Sequence, residues 1–296
     1  MAEARGVVVA VGGGLVAVEH DGHQRVAKLA GRLSVRPVVG DEVALTLEPD
    51  GGARIDRIDE RRTSFARAQR LGRGDQTLVA NGDVLAVVAA CAHPPLRRGL
   101  IDRLLVAAWA GSLDAVLVIT KLDLRADADE PPGVVLADYA RIGYEGVAVP
   151  LEAADVVSTL AELIGERVSV FAGHSGVGKS TLVNALTGGT QLTGAVSEVI
   201  GRGRHTTTAA RMLTRTDGVR LVDTPGIRGF GLAGLSPDDL PHAFPELVEA
   251  APRCRYKPCA HVGDPGCAAP DTTSPARLAS YRKLHAELAG ASTGRD

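Results

Sequence analysis

An α/β fold, with a small β-barrel ahead of it and a short metal-binding module behind it, is predicted by three observations. Between Asp83 and Ala172, apolar runs of strand length alternate with stretches of helical periodicity, the pattern of a parallel sheet covered by helices. Directly after them comes Gly173-His174-Ser175-Gly176-Val177-Gly178-Lys179-Ser180, a G-x-x-x-x-G-K-S loop at a strand-to-helix junction. Further on, Cys254-x4-Cys259-x-His261-x5-Cys267 places three thiols and an imidazole in one short stretch.

The 296 residues are 45% hydrophobic, ample for real cores, but only 3% aromatic. Aliphatic cores are therefore expected, as in parallel sheets buried on both faces. A net charge of -2 gives no chain-wide signature of nucleic-acid binding, so any such surface must be a local patch. Met1 to Gly6 lacks a basic-then-apolar signal pattern, and no apolar run approaches the roughly 20 residues that span a bilayer. A cytoplasmic protein with no membrane partner is expected, and a monomer. Three of the cysteines lie between Cys254 and Cys267 while Cys91 stands alone in an apolar run, which argues for a metal site and against a disulfide framework.

In chain order, β-rich runs at 6–11, 15–19, 25–29 and 42–47 are separated by glycine-containing turns, the spacing of a small barrel such as an OB-fold. No Phe, Tyr or Trp precedes Phe65, so the stacking side chains of a single-strand reader are missing. A docking barrel and an RNA reader are equal alternatives here. Arg5, Arg25, Lys28, Arg32 and Arg36 supply phosphate contacts in the second case and a solvated basic face in the first. Residues 58–75 are charged and glycine-containing and read as a linker.

From Asp83 the pattern runs strand 83–91, helix 100–109, strand 114–119, helix 134–142, strand 146–150, helix 155–164 and strand 167–172. Residues 187–208 are rich in Gly and Thr without periodicity, and Asp217-Gly218 joins the strands 210–216 and 219–222 as a hairpin. A closing helix over 276–288 carries Leu278, Tyr281, Leu284, His285 and Leu288 as a packing stripe. The expected division is a barrel over 1–65, the α/β domain over 66–232 and a mostly helical, zinc-binding module over 233–296.

The chemistry is carried by four segments and the cysteine cluster. In the loop, Gly173, His174, Ser175, Gly176, Val177 and Gly178 turn backbone N–H groups toward phosphate oxygens, Lys179 reaches the β- and γ-phosphates, and Ser180 ligates Mg2+, with Thr181 following in the helix. Thr120-Lys121-Leu122-Asp123 sits where a strand ends, the place for ligands of open α/β sheets. There the Asp123 carboxylate accepts from guanine N1–H and N2, a donor pair that adenine lacks. Asp223 in Asp223-Thr224-Pro225-Gly226 holds Mg2+ through a water, and the Gly226 N–H meets the γ-phosphate. In Gly203-Arg204-His205-Thr206-Thr207-Thr208 one threonine completes the Mg2+ shell; sequence does not distinguish the three, and Thr207 is favoured. Cys254, Cys259, His261 and Cys267 make a closed Cys3His zinc set with no position open for water.

These segments run base motif, phosphate loop, switch I, switch II, a circular permutation of the usual small-GTPase order. The C-terminal module therefore hangs on switch II, where it can sense the nucleotide. Permuted order, G-H-S-G-V-G-K-S at 173–180, G-R-H-T-T-T at 203–208, D-T-P-G at 223–226, A-N-G-D at 80–83 and the C-x4-C-x-H-x5-C pattern together resemble the RsgA (YjeQ) family of small-ribosomal-subunit biogenesis GTPases, over nearly the whole chain. The resemblance implies an N-terminal OB-fold, a circularly permuted P-loop GTPase domain and a C-terminal zinc-binding domain. It also implies a factor that binds the 30S subunit and its 16S rRNA late in assembly, with slow hydrolysis of GTP to GDP that the ribosome accelerates.

Three departures modify the expectation. Thr120 stands where the family has Asn, which predicts a looser tie between base motif and phosphate loop. His174 replaces a more common Gln. Residues 149–153 show no Ser-containing base-contacting loop. Ile227 occupies the position where Ras-like enzymes orient water with Gln, so intrinsic turnover is expected to be slow, with His205 the candidate to position water. The competing classes are a P-loop ATPase or kinase and a non-enzymatic RNA-binding module gated by nucleotide.

Overall fold

The computed structural model describes residues 4–31, 33, 35–68, 74–151, 156–189, 199, 210–215, 217–226 and 231–292. The first five strands are β1 (Ala4–Gly12), β2 (Leu15–His20), β3 (His23–Leu29), β4 (Glu42–Leu47) and β5 (Ala53–Ile58). They pair in the order β1-β2-β3-β5-β4, and β4 returns to β1 through Ala4↔Leu45 and Val7↔Glu42. This closure makes a barrel, which removes free strand edges, around Val8, Val16, Val18, Val43, Leu45 and Ile55. The sequence reading did not assign β5, although its alternation of buried Ala53 and Ile55 with exposed Arg54 is the period-2 signal of a half-buried strand.

The expected linker is also structured. Strands β6 (Ser64–Ala68) and β7 (Asp75–Ala80) form an antiparallel hairpin. Its charged sequence conceals three buried apolar residues, Phe65, Val79 and Ala80, while Arg61 grips the buried Asp41 through Nε at 2.7 Å and Nη2 at 3.0 Å.

The α/β part consists of β8 (Val84–Ala90), β9 (Asp114–Thr120), β10 (Gly146–Ala148), β11 (Ser169–Gly173), β12 (Arg211–Thr214) and β13 (Arg220–Asp223), ordered β10-β9-β8-β11-β13-β12. All neighbours are parallel except the β12–β13 hairpin. Alternation along the buried β8 sends Leu85, Val87 and Ala89 to one core and Val84, Ala86 and Val88 to the other, as successive side chains of a strand must. Helices α1 (Arg98–Ala110) and α2 (Pro132–Ala140) cover the first face through Ile101, Leu104, Leu105, Val135 and Tyr139. Helices α3 (Val156–Ile164) and α4 (Lys179–Leu186) cover the second through Leu160, Ile164, Leu182 and Leu186. Barrel and α/β sheet are continuous, since β1 pairs with β12 at Ala10↔Arg211.

The C-terminal module contains α5 (Pro245–Ala250), α6 (Ala269–Thr272) and α7 (Pro275–Ser292). Leu278, Tyr281, Leu284 and Leu288 are buried in the core that α1 also enters, so the stripe packs as read. Docking is polar as well as apolar. The buried Arg277 of α7 donates to Asp102 of α1 and, at 2.7 Å, to Glu246 of α5. Its guanidinium lies 4.3 Å from the centre of the Phe244 ring, and Tyr139 donates to Asp102 at 2.6 Å. Among the described residues, no helix is long and apolar enough to cross a membrane.

Candidate nucleotide site and metal centre

The glycine loop lies between the end of β11 and the start of α4. Gly176 and Gly178 have φ of 83° and 95°, the left-handed region that a Cβ disfavours. At Gly173 a Cβ would stand 2.1 Å from the Val88 carbonyl oxygen, so only glycine lets the strand end approach β8. Lys179 folds back over the loop and donates through Nζ to the carbonyls of Gly173 and His174, both at 3.0 Å. Burial pushes its ammonium below the ordinary lysine value, and Asp223 opposes that shift. An anion placed in the loop would supply the remaining stabilisation of this buried charge.

Asp223 ends β13, whose register with β11 sets it opposite Phe171. Its carboxylate is fully buried. Oδ2 accepts the Ser180 hydroxyl at 2.8 Å, while Oδ1 has no hydrogen-bond partner among the described residues. Two oxygen groups from segments 43 positions apart, one of them a carboxylate with an unused buried oxygen, suit a hard divalent cation such as Mg2+. Gly226 lies against the loop so closely that a Cβ there would be 2.7 Å from Cα of Ser175. Thr181 is exposed beside this group.

The base motif meets the same loop from the other side. Thr120, the last residue of β9, donates its hydroxyl to the Val177 carbonyl at 2.6 Å. The threonine hydroxyl thus itself ties the base motif to the phosphate loop. Lys121 takes a left-handed backbone (φ 58°), its Nζ donates to the His93 carbonyl, and Cys91 donates to the Lys121 carbonyl at 2.8 Å. The Leu122 N–H bonds the Val149 carbonyl at 3.3 Å, and Asp123 is exposed at the strand-end rim. His205, Thr207 and Ile227 lie outside the described residues.

Three contributors were not singled out from sequence. Leu151 stands over Gly178, where a Cβ would meet its Cδ2 at 2.8 Å. Cys91 braces the backbone of Lys121, and Arg211 reaches Asp223 Oδ2 at 3.4 Å. None carries a local signal, since each acts on a residue brought near only by sheet register.

In the C-terminal module the ligand atoms of Cys254, Cys259, His261 and Cys267 all lie within 4.8 Å of one another. Nδ1 of His261 is 3.7 Å from Cys254 Sγ and 3.4 Å from Cys267 Sγ. Backbone N–H groups of Ala268 and Ala269 donate to the sulfurs of Cys254 and Cys267 at 3.4 and 3.5 Å, orienting them as outer-shell bonds do. Burial pushes the Cys259 thiol up to about 12, against the lowering effect of a backbone bond at His261, and the bonds to Cys254, Cys267 and Asp264 raise it further. Three sulfurs and one nitrogen at this spacing can hold one metal ion.

A family model described as RsgA GTPase matches residues 58–233. The chain belongs to the RsgA GTPase family. Membership makes it a GTP-hydrolysing enzyme. Among curated RsgA relatives, the small ribosomal subunit biogenesis GTPase RsgA of Gemmatimonas aurantiaca is 36% identical over 303 aligned positions, spanning 97% of this chain and 98% of that protein. The protein of the same name from Chlorobaculum tepidum is 38% identical over 223 positions, 72% of this chain and 70% of its own. The crystal structure of YjeQ from Thermotoga maritima superposes with a TM-score of 0.75 at 29% identity, over 97% of this chain and 99% of that one. YloQ, described as a circularly permuted GTPase, shares the fold with a TM-score of 0.71 at 24% identity, over 98% and 96%. An RsgA-type barrel, permuted GTPase domain and metal-binding module account for every region of the chain described above.

Proposed function

We propose that this GTPase acts late in assembly of the small ribosomal subunit and that the 30S particle, through its 16S rRNA, stimulates its turnover. What supports the site assignment above all is the convergence on one loop of Thr120 at Val177 and of Asp223 at Ser180, 2.6 and 2.8 Å apart. Relatives named as small-ribosomal-subunit biogenesis GTPases support the partner.

In this reading Asp123 selects guanine, and residues Gly173 to Thr181 with Gly226 hold the phosphates. Lys179 and the loop amides stabilise charge that develops as water attacks the γ-phosphate in line. Ser180, Thr207 and, through a water, Asp223 would hold Mg2+, which would supply neutralisation of phosphate charge when bound. With Ile227 unable to orient water, His205 is assigned that role. Cys254, Cys259, His261 and Cys267 would hold a structural zinc ion, consistent with the closed Cys3His set. Among the chain's divisions, 1–65, 66–232 and 233–296 are the proposed domains, and a cytoplasmic monomer is the proposed working form.

The test is the rate of phosphate release from GTP with and without purified 30S particles. Slow basal release and a clear acceleration by 30S are expected. Equal rates with and without particles would refute the partner, and tighter binding of adenine than guanine nucleotides would refute the role of Asp123.

A further inference from the structure

Of the fully buried aspartates, Asp41 and Asp223 are each faced by one arginine, and the two pairs are built differently. Arg61 grips Asp41 with two short parallel bonds, 2.7 and 3.0 Å, the fork-to-fork form of a durable pair. Arg211 reaches Asp223 by one long contact, Nη2 to Oδ2 at 3.4 Å, while Arg211 Nε and Asp223 Oδ1 are both buried without partners among the described residues. The Arg211 side chain is 21% exposed, so it has somewhere to go. Arg211 also opens β12 and is the register partner of Ala10 in the barrel strand β1.

We propose that Arg211 competes with the magnesium ion of the bound nucleotide for Asp223, so that metal affinity is set from the strand that carries the barrel. The inference rests on the assignment of Asp223 to the metal shell. A guanidinium and a divalent cation on one buried carboxylate bring like charges close together, and each weakens the hold of the other. A bidentate arginine resists such competition; a single long contact yields to it. Because coupling between two binding events is reciprocal, metal that draws Asp223 away from Arg211 loosens the side-chain tie between β12 and β13, where the two are register partners, and a tightened tie lowers metal affinity. Nearby, Arg220 of β13 pairs with Glu19 of β2 at 2.9 Å, a tie to the barrel that does not involve Asp223 and so serves as a control.

The experiment titrates Mg2+ into the full-length protein with fluorescent GDP, comparing wild type with Arg211→Met, Arg211→Lys and Arg220→Met. The half-saturating Mg2+ concentration is expected to fall about three- to tenfold in Arg211→Met, the size expected when a partly screened neighbouring charge is removed. A smaller fall is expected in Arg211→Lys and none in Arg220→Met. An unchanged or higher half-saturating concentration in Arg211→Met overturns the proposal. Should that variant not fold, hydrogen exchange of the wild type with GDP decides: faster exchange in β12 on adding Mg2+ supports the competition, and equal or slower exchange overturns it. If GDP binding by the wild type does not respond to Mg2+ at all, the assignment of Asp223 itself has failed, and the competition falls with it.

Discussion

The phosphate loop and the C-terminal module both bury charge, and they dispose of it in opposite ways. Around the loop, Lys179 is held by two backbone carbonyls and Asp223 keeps an oxygen without a partner, so polar capacity is left pointing at a ligand. In the C-terminal module, Arg277 is turned onto Asp102, Glu246 and two aromatic rings. The three atoms it leaves over, Asp102 Oδ2, Glu246 Oε2 and Arg277 Nη2, border a cavity of about 110 Å³, room for a few ordered waters. The difference teaches that buried charge marks a ligand site where it gathers at the open end of a glycine loop. Where opposite charges face one another across two elements, they fix how two parts of the chain dock.

The strongest way to break that contrast is Arg277→Met, which strands two buried carboxylates. A loss of about 3–5 kcal/mol in urea unfolding is expected, with guanine-nucleotide affinity of the folded fraction close to wild type. Adding Asp102→Asn and Glu246→Gln to that variant is expected to restore part of the stability. If nucleotide affinity falls in step with stability, the two regions are not distinct in the sense drawn here.

A smaller effect, in the opposite region, sharpens the comparison. Thr120→Val leaves the Val177 carbonyl, now bonded at 2.6 Å, without its donor, at about 1–3 kcal/mol for a buried acceptor. GTP affinity, read by fluorescence titration, is expected to drop by more than unfolding stability does, and Thr120→Ser to recover both.

The smallest effect is a pH dependence at the docking surface. Arg103 of α1 forks onto Glu287 of α7 at 2.7 and 2.5 Å and holds its carboxyl below the ordinary value of 4.5. A depressed carboxylate contributes stability that is present above its unfolded value and lost as pH falls through its folded value. The Tm difference between wild type and Glu287→Gln is therefore expected to be present at neutral pH and to vanish as pH drops below 4.5. A difference independent of pH would mean that packing of α7, and not this ion pair, is what the substitution disturbs.

Much of this was legible before any coordinates. The alternation over 83–172 anticipated β8, β9, β11 and their covering helices, because strand and helix periods are written in neighbouring residues. Glycines at 176 and 178 announced their backbone conformation, and the cysteine spacing announced a metal cluster. Errors fell where charge hid structure: β5 sets exposed Arg54 and Arg57 among buried Ala53 and Ile55, and β6 sets Arg67 two residues from the buried Phe65. The bond from Thr120 to Val177 is not legible for a related reason, since what a hydroxyl reaches depends on a gap that only the packed loop defines.

The sequence by itself determined the elements, the order of the nucleotide motifs and the ligand set of the metal cluster, all of them consequences of residues within a turn or a strand of one another. Tertiary structure alone decided which distant groups meet. Arg277 and Asp102 are 175 positions apart, and the registers of β12 with β1 and with β13 set Arg211 beside the barrel on one side and Asp223 on the other. No local pattern encodes those meetings, because they follow from strand order and helix docking, which the burial of apolar surface across the whole chain selects at once.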